Sequence, residues 1–218
     1  MKSNKKFTIA SVSLLLFVLL VALLKKYDVA AIGPEGTEIG FSHINRACHE
    51  FFGVNMLWYD ITEILGYLAI AIAALFAFAS FMQLVKRKSL AEVDKEIYAL
   101  AGLYVAMGAF YVAFEKVVVN FRPVILPDET SPEASFPSSH TMLACVIFGS
   151  AIVMTRIYME KDAKLLAINI ILCILIFITV FGRLISGVHW LTDIAGGVLI
   201  SIFLVSAFDA VTCRLAGE

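Results

Sequence analysis

The chain has 218 residues, of which 61% are hydrophobic and 16% are charged, and its mean hydropathy is +0.90. Soluble domains contain about half apolar and about a quarter charged residues, so this composition excludes an ordinary soluble domain, and its apolar excess excludes a disordered chain. The content of 13 Gly, 5 Pro and 4 Cys excludes collagen-like and disulfide-scaffold proteins. The formal net charge of -1 offers no basic surface for nucleic acid. An integral membrane protein remains.

Apolar runs along the chain predict six membrane-spanning helices, because one span needs roughly 20 apolar residues. The first run, 7–24, is flanked by lysines, is long for a signal sequence and lacks a small-residue cleavage site, so we predict a retained helix. Residues 41–52 alternate at helical spacing and predict an interfacial helix. The further runs are 57–84, with its embedded part at 64–84, then 97–119, 140–158, 165–181 and 194–211. We therefore predict an all-α bundle of six transmembrane helices in one membrane domain, 1–218, with a first helix and interfacial segment in 1–56 and a helical core in 57–212.

The distribution of Lys and Arg predicts the orientation of this bundle. With the N-terminus inside, the inner segments hold 11 of the 17 basic residues and the outer segments hold 5, while Lys116 lies within the third helix. We therefore predict cytoplasmic termini in a multi-pass protein of the cell membrane. The segments 120–139 and 182–192 then lie on the extracytoplasmic side.

These two outer segments carry unusual polar residues at the membrane boundary. The first holds four of the five prolines, begins with Arg122 and ends with the residues 137–140, Pro-Ser-Ser-His. The second holds Arg183, His189 and Asp193. Because such side chains at the ends of spanning helices are costly unless they are paired or functional, they indicate a site.

The spacing in the second segment predicts a histidine nucleophile. Asp193 follows His189 by four residues, so both side chains share a face if the last helix begins just before them, and the carboxylate can accept a hydrogen bond from one ring nitrogen. The other nitrogen is then free to attack phosphorus. Arg183 lies six residues upstream, where its guanidinium can meet the oxygens of a phosphate.

The end of the first segment predicts a second half of the same site. Ser138, Ser139 and His140 begin the fourth spanning helix, where free backbone N–H groups and the helix dipole favour an anion. His140 could then donate a proton to the leaving oxygen.

These residues resemble the motifs of the type-2 phosphatidic acid phosphatase superfamily. That family carries Lys, six residues and Arg-Pro; then Pro-Ser-Gly-His; then Ser-Arg, five residues, His, three residues and Asp. This sequence has Arg122-Pro123, the Pro-Ser-Ser-His of 137–140, and Arg183, His189 and Asp193 at the same spacing and in the same order. The resemblance covers roughly residues 57–212.

The resemblance implies a helical-bundle lipid phosphatase that needs no metal or other cofactor. His189 would form a phosphohistidine, Asp193 would orient it, and His140 would protonate the leaving group. Arg122, Arg183 and a lysine would hold the phosphate oxygens and stabilise the charge of the transition state.

This sequence departs from the family motifs at three positions. Lys116 is separated from Arg122 by five residues, and Glu115 takes the register of the family lysine, so a regular helix turns Lys116 by about 100° from the expected direction. A long flexible side chain or a π-bulge could restore its contact with phosphate; the alternative is a surface pair between Glu115 and Lys116. Ser139 replaces a glycine and still offers its backbone N–H, whereas Gly182 replaces a serine and removes a hydroxyl.

The sequence therefore predicts an enzyme whose partners are the lipid bilayer and a lipid phosphate or diphosphate. The resemblance suggests phosphatidate, phosphatidylglycerophosphate or undecaprenyl diphosphate as substrates. The alternative is a non-catalytic membrane protein that binds or transports a phosphorylated lipid, and the pair of His189 and Asp193 speaks against it, because a binder needs no oriented nucleophile. The sequence leaves the oligomeric state open.

Overall fold

A computed structural model describes residues 3–127 and 129–217 of the chain. These residues form seven α-helices: α1 (Ser3–Leu24), α2 (Ser42–Phe52), α3 (Met56–Arg87), α4 (Lys95–Lys116), α5 (Ser139–Tyr158), α6 (Ala163–Ile185) and α7 (Leu191–Leu215). A two-stranded antiparallel ribbon, β1 (Ala30–Ala31) and β2 (Glu38–Ile39), lies between α1 and α2, and single 3-10 turns occupy Pro34–Gly36 and Leu90–Glu92.

Six helices in the described ranges, all except α2, are long and apolar enough to cross a membrane. The prediction of an all-α bundle of six spanning helices is therefore confirmed, and a short helix, α2, lies where the interfacial helix was predicted. Helices α6 and α7 each continue four residues beyond their predicted ends, at 181 and 211. Helix α4, in contrast, ends at Lys116 and not at 119, because the chain then turns to pair with a later segment: the N–H of Ser135 donates to the carbonyl of Asn120 at 3.0 Å.

Helices α5 and α7 form the centre of the bundle. About half of the apolar window of each is buried, 56% in α5 and 44% in α7, whereas the other spanning helices bury 22% or less. Helix α7 packs on α1, α4 and α5, and α5 in turn packs on α3 and α6. The outer helices consequently present apolar side chains to the surroundings, as lipid-facing helices do.

Both described ends of the chain lie at the same end of the bundle, which we call the terminal end. The hydroxyl of Ser3 donates to the carbonyl of Ala210 at 3.1 Å, and the Lys6 ammonium lies 2.8 Å from an Asp209 oxygen. The opposite end, which we call the loop end, carries the α4–α5 and α6–α7 loops. Helix α2 lies at the loop end and is anchored to α7, because the Asn45 side chain exchanges hydrogen bonds with the hydroxyl and backbone N–H of Thr192.

Candidate active site

The two polar segments predicted from the sequence meet at the loop end of the bundle. The α4–α5 loop folds back on itself, with the N–H of Arg122 donating to the carbonyl of Glu133 at 2.9 Å. It is joined to the α6–α7 loop by the indole N–H of Trp190, which donates to the carbonyl of Phe121 at 2.7 Å. The N–H of Ser138 also donates to the carbonyl of Asp193 at 3.0 Å. These bonds hold the two halves of the site in one place.

His189 is the centre of this arrangement. Only 3% of the residue is exposed, and its Nε2 lies 3.4 Å from Arg122 Nη1 and 3.5 Å from Arg183 Nη2. Because guanidinium groups only donate, Nε2 must be the unprotonated nitrogen and the proton lies on Nδ1. Burial, and then the positive charges of Arg122 and Arg183, hold the pKa of His189 well below its ordinary value. The residue is therefore a neutral imidazole whose free electron pair faces two cations.

Asp193 supports the other side of the imidazole ring. Its Oδ2 lies 3.7 Å from His189 Nδ1, which is close enough for an attraction but longer than a hydrogen bond. The same oxygen accepts the backbone N–H of Trp190 at 3.0 Å, and Oδ1 accepts the Asn120 amide at 3.1 Å. The first turn of α7 and the α4–α5 loop thus fix the fully buried carboxylate. Asn120 carries no local signal in the sequence, since its contact with Asp193 depends on how the two loops meet.

Arg183 is fully buried, and α3 supplies most of its surroundings. Its Nη1 donates to the hydroxyl of Thr62 at 3.2 Å and to Glu63 Oε1 at 3.1 Å, and its guanidinium lies 5.0 Å from the centre of the Tyr59 ring. Sequence reasoning missed these residues as parts of the site. The available signal was a carboxylate at position 63 inside an apolar run, because an acidic residue in a spanning helix calls for a partner.

His140 lies in the first turn of α5 and contacts the same carboxylate. Its Nε2 is 3.1 Å from Glu63 Oε1. The close approach of α3 depends on Gly66, since a Cβ atom there would lie 2.9 Å from His140 Cδ2. Ser138 caps α5 through its Oγ, which accepts the N–H of Thr141 at 3.4 Å. Ser139 is the first residue of α5, and its helical backbone has no need of the glycine that the family motif carries.

A cavity of about 330 Å³ opens beside these residues. It is lined by Arg122, His189 and Ser139 together with Tyr111, Glu115 and Glu133. Arg122 also forms an ion pair with Glu133, with 3.0 Å between Nε and Oε2. The cavity therefore combines the Arg122 guanidinium and the neutral His189 ring with two carboxylates, and it is large enough for a phosphorylated headgroup.

The structure brings seven of the eight predicted site residues together, and Lys116 is the exception. Lys116 is an exposed residue at the end of α4 and is not among the residues that line the cavity, whereas Glu115 is. The helix remains regular to this point, so the turn of about 100° between neighbouring positions is not compensated. The position of the family lysine thus carries the opposite charge.

Steric contacts explain why position 182 is a glycine. A Cβ atom there would lie 2.7 Å from Thr62 Cγ2 and 2.9 Å from Trp58 Cε3. Gly182 therefore lets α6 approach α3 closely enough for Arg183 to reach Thr62 and Glu63. Gly197 has a similar role between α7 and α5, where a Cβ would lie 2.9 Å from Thr141 Cγ2.

The geometry suits the transfer of an anionic group to a histidine. Two guanidinium groups converge on the nucleophilic nitrogen, so a phosphate placed beside that nitrogen would meet both. Glu63 links the second histidine to one of these guanidinium groups.

Known proteins resemble this chain in sequence profile and in fold. The profile of the PAP2 superfamily matches residues 95–212, which is more than half of the chain and includes both polar loops. The fold is similar to a crystal structure described as the first transmembrane PAP2 type phosphatidylglycerolphosphate phosphatase from Bacillus subtilis, with a TM-score of 0.65 and 16% sequence identity over 96% of this chain and 97% of that chain. No curated protein sequence matches the chain. The resemblance predicted from the motifs is confirmed, as is a multi-pass membrane fold.

Proposed function

This chain belongs to the PAP2 superfamily, and we propose that it is a metal-independent lipid phosphatase that acts through a phosphohistidine on His189. The observation that carries the proposal is the convergence of Arg122 and Arg183 on Nε2 of a buried neutral imidazole. The substrate would be a lipid phosphate or diphosphate of the phosphatidate, phosphatidylglycerophosphate or undecaprenyl diphosphate class.

The proposed reaction has two steps. In the first, His189 Nε2 forms a bond to phosphorus, the bond from phosphorus to the lipid oxygen breaks, and His140 gives its proton to that oxygen. In the second, water attacks the phosphohistidine and returns a proton to His140, and inorganic phosphate leaves while His189 regains its free electron pair. Asp193 keeps Nδ1 protonated and the ring oriented throughout, since its carboxylate faces that nitrogen.

Arg122 and Arg183 would hold the phosphate oxygens. Negative charge builds on these oxygens as the transition state forms, and guanidinium donors fixed in a water-poor site stabilise it without reorganising. The start of α5 would add backbone N–H groups of Ser139 and its neighbours to the same anion.

The lipid chain would lie along α4. Tyr111 and Phe114 of this helix line the headgroup cavity, while its Val105 and Val112 are 73% and 49% exposed on the flank that faces the surroundings. We propose that the headgroup enters from the outer leaflet of the cell membrane, because 11 of the 17 Lys and Arg residues lie in the segments of the opposite side.

One observation favours a second candidate, a membrane protein that binds phosphorylated lipid without hydrolysing it. Glu115 lies in the cavity and Lys116 does not, so the site has fewer cations than the family motif implies. The oriented pair of His189 and Asp193 favours the enzyme, since binding alone does not require it.

The test is phosphate release by detergent-purified protein in EDTA, from phosphatidate, phosphatidylglycerophosphate and undecaprenyl diphosphate in parallel. We expect release from at least one substrate, its loss in His189→Ala, and an acid-labile phosphoprotein in the wild type. His43→Ala is the matched control, because His43 is exposed and pairs with Asp28 away from the cavity. Binding of these lipids without release would overturn the enzyme in favour of the binding protein.

A further inference from the structure

Helix α3 presents a strip of side chains to the site at its loop end. Tyr59, Thr62, Glu63 and Gly66 follow one another at intervals of three and one residues over two turns and therefore share one face. Three of them contact Arg183, and Gly66 admits the ring of His140. The strip lies outside residues 95–212, the segment that the superfamily profile matches.

Glu63 is the member of this strip that joins two groups with different tasks. Its Oε1 lies 3.1 Å from His140 Nε2 and 3.1 Å from Arg183 Nη1. One carboxylate oxygen thus connects the proton donor of the proposed reaction with one of the two guanidinium groups that face His189. A carboxylate in a spanning helix is costly, and these two contacts supply the compensation.

We propose that Glu63 is a positioning residue that orients His140 toward the leaving oxygen and holds Arg183 at the phosphate. This inference rests on the function proposed above and adds a residue that the family motifs do not contain. His140 would lose its orientation without the carboxylate, because its other ring nitrogen, Nδ1, is buried and has no hydrogen-bond partner in the described residues. Arg183 would keep Thr62 and the Tyr59 ring as contacts.

The two tasks of Glu63 predict different sensitivities to the leaving group. A lipid alkoxide is a poor leaving group and needs the proton of His140, whereas nitrophenolate leaves without one. A disoriented His140 therefore slows hydrolysis of an alkyl phosphate selectively. A displaced Arg183, in contrast, slows both substrates equally, because the phosphate that it binds is the same.

The experiment measures kcat/KM for a lipid phosphate monoester and for p-nitrophenyl phosphate in wild type, Glu63→Gln and Glu63→Ala. General acid catalysis contributes about 100-fold or more, so we expect Glu63→Ala to lose about 100-fold on the lipid phosphate and about 10-fold or less on the nitrophenyl ester. Glu63→Gln keeps an oxygen acceptor in place and should recover part of the loss. Asp60→Asn is the matched control, since Asp60 is an exposed carboxylate three residues earlier on α3.

A double variant identifies the route through His140. His140→Ala should show the same selective loss of kcat/KM on the lipid phosphate. Adding Glu63→Ala to it should lower kcat/KM further only by the part that comes from a displaced Arg183, which is equal for both substrates, because the effects of two residues that act as a unit are not additive. Thermal unfolding of each variant in detergent separates this effect from a loss of folded protein, which would lower both activities in proportion.

Other outcomes would overturn the proposal. An equal loss on the two substrates, or a wild-type rate in Glu63→Ala, would remove the link between Glu63 and His140. Tighter inhibition of Glu63→Ala than of wild type by inorganic phosphate would mean that the carboxylate occupies the place of the phosphate. Wild-type protein that hydrolyses neither substrate would overturn the proposed function and this inference together, whereas wild-type turnover with an unchanged substrate ratio in the variants would overturn only the inference.

Discussion

The two ends of the bundle both bury charged side chains, but they do so in different ways. At the terminal end, Asp209 lies between two cations, with Lys6 Nζ at 2.8 Å and Arg156 Nη2 at 3.4 Å, and Lys6 also contacts the sulfur of Cys213 at 2.8 Å. These contacts join α1, α5 and α7. The charges there are satisfied by one another, as in an ion pair that ties helices together.

At the loop end the charges are incompletely satisfied. Arg122 and Arg183 both face His189 Nε2, and in the described residues the buried Arg183 Nε and His140 Nδ1 have no hydrogen-bond partner. Buried polar atoms without partners are uncommon and call for an explanation. From this contrast we propose that the terminal end stabilises the fold, whereas the loop end binds an anion.

Among the variants that compare the two ends, Arg183→Lys should cause the largest loss of activity. Lysine keeps the positive charge but cannot bond to Glu63, Thr62 and a phosphate at once, because it lacks the planar fork. We expect kcat/KM for a lipid phosphate to fall by about 100-fold to 1,000-fold, the cost of one transition-state donor. Steady-state kinetics measure this loss of kcat/KM. A loss of less than 5-fold would show that activity does not depend on the planar guanidinium group of Arg183.

The corresponding change at the terminal end should affect stability and leave the chemistry intact. Lys6→Met removes one partner of a buried pair, while Arg156 still faces Asp209. We expect a loss of about 2 kcal/mol in unfolding free energy, below the cost of an unpaired buried charge because one cation remains. Thermal or denaturant unfolding in detergent measures it, and kcat per folded molecule should stay at the wild-type value. A drop in kcat would mean that the two ends are coupled and would break the comparison.

The sequence alone was sufficient to predict the six spanning helices and to group the motif residues other than Lys116 at one end of the bundle. Hydropathy located each span because lipid-facing helices are apolar along their length. The motif of Arg183, His189 and Asp193 could be recognised because its residues lie within eleven consecutive positions of the sequence. The end of α6 lay beyond the prediction, because Gly182 and Arg183 stay helical where Arg183 meets Glu63. Such an ending depends on a neighbouring helix and has no local signal.

The partners of the supporting residues could not be predicted for the same reason, although Glu63 was visible as an acidic residue inside an apolar run. Glu63 and Asn120 reach His140, Arg183 and Asp193 only through the packing of α3 and the fold of the α4–α5 loop. The positions at which this sequence differs from the family motifs were visible, but the structural reason for each difference was not. Only the packing of Gly182 against Trp58 explains why the family serine is missing.

Restoring that serine gives a smaller effect and sharpens the contrast between the ends. In Gly182→Ser the new Cβ would lie 2.7 Å from Thr62 Cγ2, so α3 and α6 must move apart. We expect a loss of about 1 kcal/mol in unfolding free energy, at the lower end of what overpacking costs. A concurrent drop in kcat/KM is expected, because Thr62 and Glu63 hold Arg183 across this contact. Unfolding and kinetics of the same preparation test it, and an unchanged stability would show that α6 has room for a side chain.

The smallest effect is expected at Lys116, the lysine that lies one residue out of the register of the family motif. Because Lys116 is exposed at the end of α4 and the cavity is lined by Glu115, Lys116→Ala should change kcat/KM by less than about 2-fold, as surface substitutions away from a site do. Exchanging the two residues, Glu115→Lys with Lys116→Glu, keeps the net charge and moves a cation into the cavity beside Arg122. We expect this double variant to bind inorganic phosphate more tightly than wild type, measured as competitive inhibition, since a cation replaces a carboxylate next to the anion. A large loss in Lys116→Ala would instead mean that α4 turns on binding substrate and that its loop end is not the fixed wall described above.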